Sequence, residues 1–191
     1  MIETNKAAPR APMSRLLIAG ALVAVLDGAF AVAIYVYILH ACSTAQLMQS
    51  IASALLGGAA FRGGRPTVAL GVALHVAVAY GWTLVYAAVR AASGRLRELT
   101  MTSGGGLAAG ATFGVFVWLA MDLLILPLTR ARPTPIGSPL FLIMLIWHAA
   151  GVGIPIALTV RAPTRRVPAA SSASWWRRAT RASEAPDGGT R

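Results

Sequence analysis

The sequence predicts an all-α integral membrane protein: a four-transmembrane-helix bundle with one short amphipathic helix between spans one and two. Three observations carry that expectation. The chain is 57% hydrophobic and only 12% charged, whereas soluble domains are about 25% charged. Four apolar runs, at residues 16–39, 67–89, 105–128 and 140–160, each reach the roughly 20 residues needed to cross a hydrocarbon core. The net charge of +11 is concentrated in tails and connections, which leaves those runs nearly clean. In lipid every backbone N–H and C=O needs a partner within the protein, so only helices or a closed barrel can span. Long unbroken runs are the wrong pattern for a barrel, whose strands are short and alternating.

Taken in order, residues 1–15 form an N-terminal tail with Lys6, Arg10 and Arg15. The first run follows. It is longer than the roughly 7–15-residue apolar core of a cleaved signal peptide. Leu39-His40-Ala41-Cys42 has the outline of a lipoprotein cleavage box, but the long upstream run with Asp27 fits that reading poorly. Cys42 is the only cysteine, so it has no partner for an internal disulfide.

The connection from Ala41 to Arg65 is too long for a plain turn. Within it Leu47, Met48, Ile51 and Leu55 share one helical face, and Gln46, Gln49, Ser50 and Ser53 fall on the other. Ser43 or Thr44 can cap the start of such a helix, and Gly57-Gly58 can end it. Two placements are open for it: lying at the outer interface, or lining a cavity as a re-entrant element. Pro127 and Pro155 fall at or near the ends of spans three and four, where a lost hydrogen bond costs little.

Basic flanks favour the cytoplasm. The N-terminal tail, the connection with Arg90, Arg95 and Arg97, and the tail from Arg161 onward hold 13 of the 17 Lys and Arg residues and share one side. Arg62, Arg65, Arg130 and Arg132 are on the other. Both termini are therefore expected in the cytoplasm of a bacterium, in its inner membrane, and arginine-rich, Ala- and Gly-rich usage agrees with a bacterial source. Residues 162–191 are rich in Ala, Ser, Pro and Arg and are expected to be a disordered basic tail. Trp175-Trp176-Arg177-Arg178 within it suits anionic headgroups. Nucleic acid is not an expected partner, because no folded reader accompanies this charge.

Within the spans, Gly106, Gly110 and Gly114 form a stripe on span three, and Gly20 and Gly28 belong to a small-residue face on span one. Such faces let helix backbones approach closely, inside one chain or between copies in a homo-oligomer. Each span also holds one ionisable residue: Asp27, His75, Asp122 and His148. Charged groups are expensive in hydrocarbon, so these are expected to turn inward and meet as an Asp/His network. That network has three readings. It fixes helix register; it relays or senses protons, since histidine titrates near neutrality; or it ligates a group, with His75 and His148 as bis-His ligands of haem b or all four residues around a metal. The sequence lacks His-Glu-x-x-His, Gly-x-Ser-x-Gly and phosphate-loop motifs. The leading expectation is accordingly a non-enzymatic membrane protein with no resident cofactor. A small proton-linked transporter or sensor comes next, then a haem- or metal-binding electron-transfer protein.

Several stretches together resemble a known group. They are Leu26-Asp27-Gly28-Ala29, Gln49-Ser50-Ile51-Ala52-Ser53, Leu55-Leu56-Gly57 with Ala60-Phe61 and Gly63-Gly64, Gly71-Val72-Ala73-Leu74-His75, and His148 with Gly153-Ile154-Pro155-Ile156-Ala157-Leu158. The chain resembles a YagU-like group of bacterial inner-membrane proteins over most of residues 16–161. The resemblance brings no activity or cofactor. It does place the long first connection, Asp27, His75 and His148 among the recognisable positions.

Overall fold

The computed structural model describes residues 11–161. The first ten residues and the tail 162–191, with Trp175–Arg178, lie outside the described residues. Helix accounts for 85% of the described residues, with no strand among them. Four helices are long and apolar enough to cross a membrane: α1 (Met13–Ile38), α3 (Gly64–Ala92), α5 (Ser103–Leu128) and α6 (Pro139–Val160). Each end falls within three residues of the run read from sequence. Two short helices, α2 (Thr44–Leu56) and α4 (Gly94–Leu99), lie in the connections.

Local chemistry sets the helix starts. The first backbone N–H groups of a helix have no partner within it. Ser43 supplies one to α2 and receives one from Gln46 in return, a full capping box. Ser93, Thr102 and Ser138 cap α4, α5 and α6 through single side-chain acceptors. Pro139 at the first turn of α6 loses no bond there. Gly57 ends α2 with φ of 58°, a conformation costly for any residue with a Cβ.

The four long helices run alternately up and down. α1 packs between α3 and α6, and α6 in turn packs on α5. Glycines set the closest approaches. A Cβ at Gly110 would stand 2.7 Å from the Ile154 Cα, and one at Gly114 would strike the His148 backbone and lie 2.8 Å from the Ala149 Cα. The glycine stripe of α5 is therefore occupied by α6 of the same chain. On α1, Gly20 accommodates the Tyr80 ring and Gly28 accommodates the His75 ring. Where α3 and α5 face each other, bulk replaces glycine: Trp82 meets Phe113 and Phe116 edge-on, and Tyr86 meets Phe113. Buried Val23, Ala79, Tyr86, Val117, Val152 and Ile156 belong to the main core. Trp118, Phe141 and Met144 form a second cluster nearer α2.

Three of the four spans, α1, α5 and α6, contain a π turn: Ala33–Ile38, Ala120–Ile125 and His148–Gly153. Proline accounts for two of them. Pro127 and Pro155 have no N–H to give the carbonyl four residues back, and a wider turn just ahead relieves the clash. Pro155 does not end α6: Ile154–Val160 continues as α-helix beyond the π turn, to the end expected from the apolar run. No proline accompanies the first π turn.

α2 is not the simple amphipathic helix that its pattern implied. It lies against α3, where Gly71 gives room to the Met48 carbonyl. Leu47, Met48 and Ala52 are buried, but so are Gln49 and Ser53 from the polar face, while Leu55 is exposed. Gln49 is satisfied there by Thr67 Oγ1 at 3.2 Å. Part of the polar face is buried with the apolar one because the neighbour is a helix with polar groups of its own, while Gln46 and Ser50 stay exposed.

Candidate functional site in the bundle cavity

A cavity of about 1060 Å³ occupies the α2 half of the bundle. All four long helices and α2 contribute to its wall. At one end are Arg130 and Arg132, from the connection between α5 and α6, with Ala41, Cys42 and Gly57. At the other are Val23, Ala79, Trp82 and Val152, where the main core begins. Arg130 is fixed at its end in two ways: its N–H donates to the Ala54 carbonyl at 3.2 Å, and its side chain lies over Gly57.

Asp27, His75 and His148 all line this cavity. Counting about 1.5 Å per residue, Asp27 and His75 lie about 16 Å from the α2 end of their helices, and His148 about 14 Å. Asp27 and His148 face each other, with Oδ1 and Nε2 4.0 Å apart. Trp147, one residue before His148, donates its Nε1–H to the same Asp27 oxygen at 3.1 Å. Three features hold Trp147 there. Its ring stacks flat on Phe30, with centroids 3.9 Å apart, and it lies over Gly151, where a Cβ would come within 2.5 Å. The π turn starting at His148 lets consecutive residues 147 and 148 address one carboxylate.

The histidines are oriented by backbone. His148 Nδ1 is 2.8 Å from the Met144 carbonyl, which sets Nε2 toward Asp27. His75 Nε2 is 2.9 Å from the Ala24 carbonyl, a reach that Gly28 makes possible. Each ring keeps one nitrogen clear of those carbonyls: Nδ1 in His75 and Nε2 in His148. Among the described residues, no group of three or more His, Cys, Asp and Glu side chains assembles as a metal site.

The four ionisable residues expected to meet do not form one hydrogen-bonded network. Asp122 stands apart from the other three and does not line the cavity. It lies about 9 Å from the α2 end of α5. At that shallower level it reaches the next connection, where Oδ1 accepts from the Thr134 N–H at 2.9 Å. Its Oδ2 is buried without a partner. Helix direction and loop length, rather than shared facing, decide this partner.

Sequence reasoning also missed Trp147, Arg130 and Arg132 as site residues. An indole beside a histidine carries no signal by itself; only the facing Asp27 gives it one. The arginines counted as flank charge, and their place at the cavity depends on how α2 folds back. Comparison of the chain with family models, with curated proteins and with solved structures gave no match.

Proposed function

We propose that the chain is a multi-pass, non-enzymatic protein of the bacterial inner membrane, with both termini cytoplasmic. On this reading it is a small proton-linked transporter or sensor that binds a ligand in its cavity. Membrane residence is supported by the bundle's exterior. Leu17 and Val25 on α1, Leu84 and Val89 on α3, Leu124 on α5 and Ile146 on α6 are among many large apolar side chains left exposed. Apolar surface on every side is stable in lipid and costly in water. The distribution of basic residues supports the orientation, which turns α2 and Arg130 outward. Kinship with the YagU-like group belongs to the same proposal and rests on the residues quoted above.

One observation carries the functional reading: a large cavity converging on an Asp27–His148 pair that Trp147 and Met144 hold in place. A purely structural pair would close on itself in a packed core. This one faces open volume, and π turns of the kind found often at functional sites surround it. Protonating either partner changes the charge facing the cavity and the hydrogen bond to Trp147. The charged and titratable groups facing the pair are His75 on α3, Tyr35 on α1, and Arg130 and Arg132 at the cavity's far end.

Trp147 and Trp118 make this testable, since Trp147 bonds Asp27 and Trp118 lies 4.7 Å from the His148 ring centre. In protein with Trp82, Trp175 and Trp176 replaced by Phe, indole emission is expected to change reversibly with pH. Asp27→Asn and His148→Gln should each flatten the curve, and Asp122→Asn should leave it in place. A flat curve in the parent, or one that neither substitution alters, overturns the proposal. The same preparation decides the haem b alternative. Oxidised and dithionite-reduced spectra with a Soret band lost in both His75→Ala and His148→Ala would replace this reading with an electron-transfer one.

A further inference from the structure

The charge on the cavity wall is lopsided, and that identifies a ligand class. Among its lining residues Asp27 is the one carboxylate, and its Oδ1 is already engaged by Trp147 and faced by His148. With the histidines neutral, the wall carries two positive charges, Arg130 and Arg132, against that single negative one. Neither guanidinium has a carboxylate partner among the described residues. The wall's uncharged polar groups are mixed: with the histidines neutral, His75 Nδ1 and His148 Nε2 are acceptors, as are the Ser50 and Ser53 oxygens, whose protons go to backbone carbonyls. Gln46 spends its Oε1 on the Ser43 N–H, which leaves its amide NH₂. Trp118, 8% exposed, contributes ring surface to the wall. Between these groups the wall is apolar, with Met48, Ile51, Leu74 and Val117 among its members.

We propose that the cavity binds an amphipathic anion, with a carboxylate or phosphate head at Arg130 and Arg132 and an apolar body extending toward Trp118 and Val117. Guanidinium groups pair well with both kinds of head. A mouth of one charge sign above low-dielectric walls concentrates anions. A volume of this size suits a drug-sized or single-chain molecule. The position of the head also fits the polarity of the fold, since Arg130 and Arg132 lie in a connection and the apolar wall lies between helices. This inference rests on the ligand-binding reading above and names its ligand.

The test uses the full chain in phosphatidylcholine nanodiscs, with hexadecyl phosphate and palmitate as probes. Both should bind saturably, at least ten times more tightly than hexadecanol or hexadecyltrimethylammonium. The double variant Arg130→Gln/Arg132→Gln should lose at least tenfold in affinity for both anions. Ile51→Trp, which fills the wall without touching charge, should weaken the long-chain probes and leave the fold intact by circular dichroism. Adding phosphatidylglycerol to the disc separates two sources of the same chemistry: competition points to a bilayer lipid, and its absence to a free amphiphile, both within the proposal. Equal binding of hexadecanol and hexadecyl phosphate, or unchanged affinity in the double arginine variant, overturns it. If the anions fail while the pH-dependent indole signal persists, the ligand class is wrong and the proton-linked reading stands. Loss of both removes the reading itself.

Discussion

Asp27 shows how one carboxylate can be tolerated among apolar helices. It is not neutralised by a full ion pair. Trp147 gives it a hydrogen bond, His148 stands 4.0 Å away, and the cavity leaves its side chain about one quarter exposed. Polar contacts between helices in lipid are worth about 0.6 kcal/mol on average by double-mutant cycles, and up to about 1.7 kcal/mol. Asp27→Leu and Trp147→Phe, measured singly and together by unfolding in detergent, should therefore couple by that amount. Asp27→Leu and Asp122→Leu should add within about 0.5 kcal/mol, because the two carboxylates share no hydrogen-bond partner. Additivity in the first pair would remove Trp147 from the site. The glycines give a second contrast at this scale. Gly114→Ala places a methyl into the His148 backbone, where nothing flexible can yield, and should cost about 2 kcal/mol or more. Gly81→Ala meets nothing within 4 Å and should be neutral or stabilising by up to about 1 kcal/mol. Thermal unfolding of the two variants side by side would show whether α5 and α6 depend on bare backbone contact.

Among the elements, α2 decides whether the bundle has a cavity with a wall or an open cleft. It is held at both ends and in the middle: Ser43 and Gln46 cap its start, Gly71 receives Met48, and the Ala54 carbonyl binds the Arg130 N–H. Gly71→Leu should push α2 away from α3. Hydrogen–deuterium exchange should then rise across residues 44–56 and stay unchanged in α6. Unchanged exchange in α2 would mean that Gly71 does not hold the contact. The existence and limits of α2 were legible because capping residues, helical periodicity and a terminal glycine act within a few residues of one another. Its buried face was not legible. Gln49 and Ser53 look solvent-facing by pattern; buried, Gln49 donates to Thr67 on the neighbouring helix and Ser53 to the Ser50 carbonyl of its own. The π turns were hidden for a related reason. Prolines mark where a helix must adjust, but the choice between ending it and widening it depends on the packing around it.

At the scale of the molecule, the four long helices were legible from hydropathy, because length and apolarity are properties of single segments. The site was only half legible. Asp27, His75 and His148 stand out as ionisable residues in apolar runs, but their sharing of one cavity depends on helix order. Asp122 leaves the group because α5 carries it within reach of a connection, where the Thr134 N–H donates to it, and outside the cavity lining. The global claim that remains is orientation. The proposed function needs Arg130, Arg132 and α2 on the outer side, since a ligand captured from outside must reach the cavity there. Thirteen of the 17 basic residues lie in the segments assigned to the cytoplasm, and an excess of that kind sets topology during insertion. A reporter active only in the cytoplasm should therefore score when fused after Arg178, and an export-dependent reporter should score when inserted between residues 130 and 137. Cysteine accessibility provides an independent check in whole cells. In a Cys42→Ser background, Arg132→Cys should react with a membrane-impermeant maleimide, and Arg95→Cys should react only after the cells are opened. The reverse pattern would place the arginine-lined mouth in the cytoplasm, and the ligand would then have to come from the cell interior.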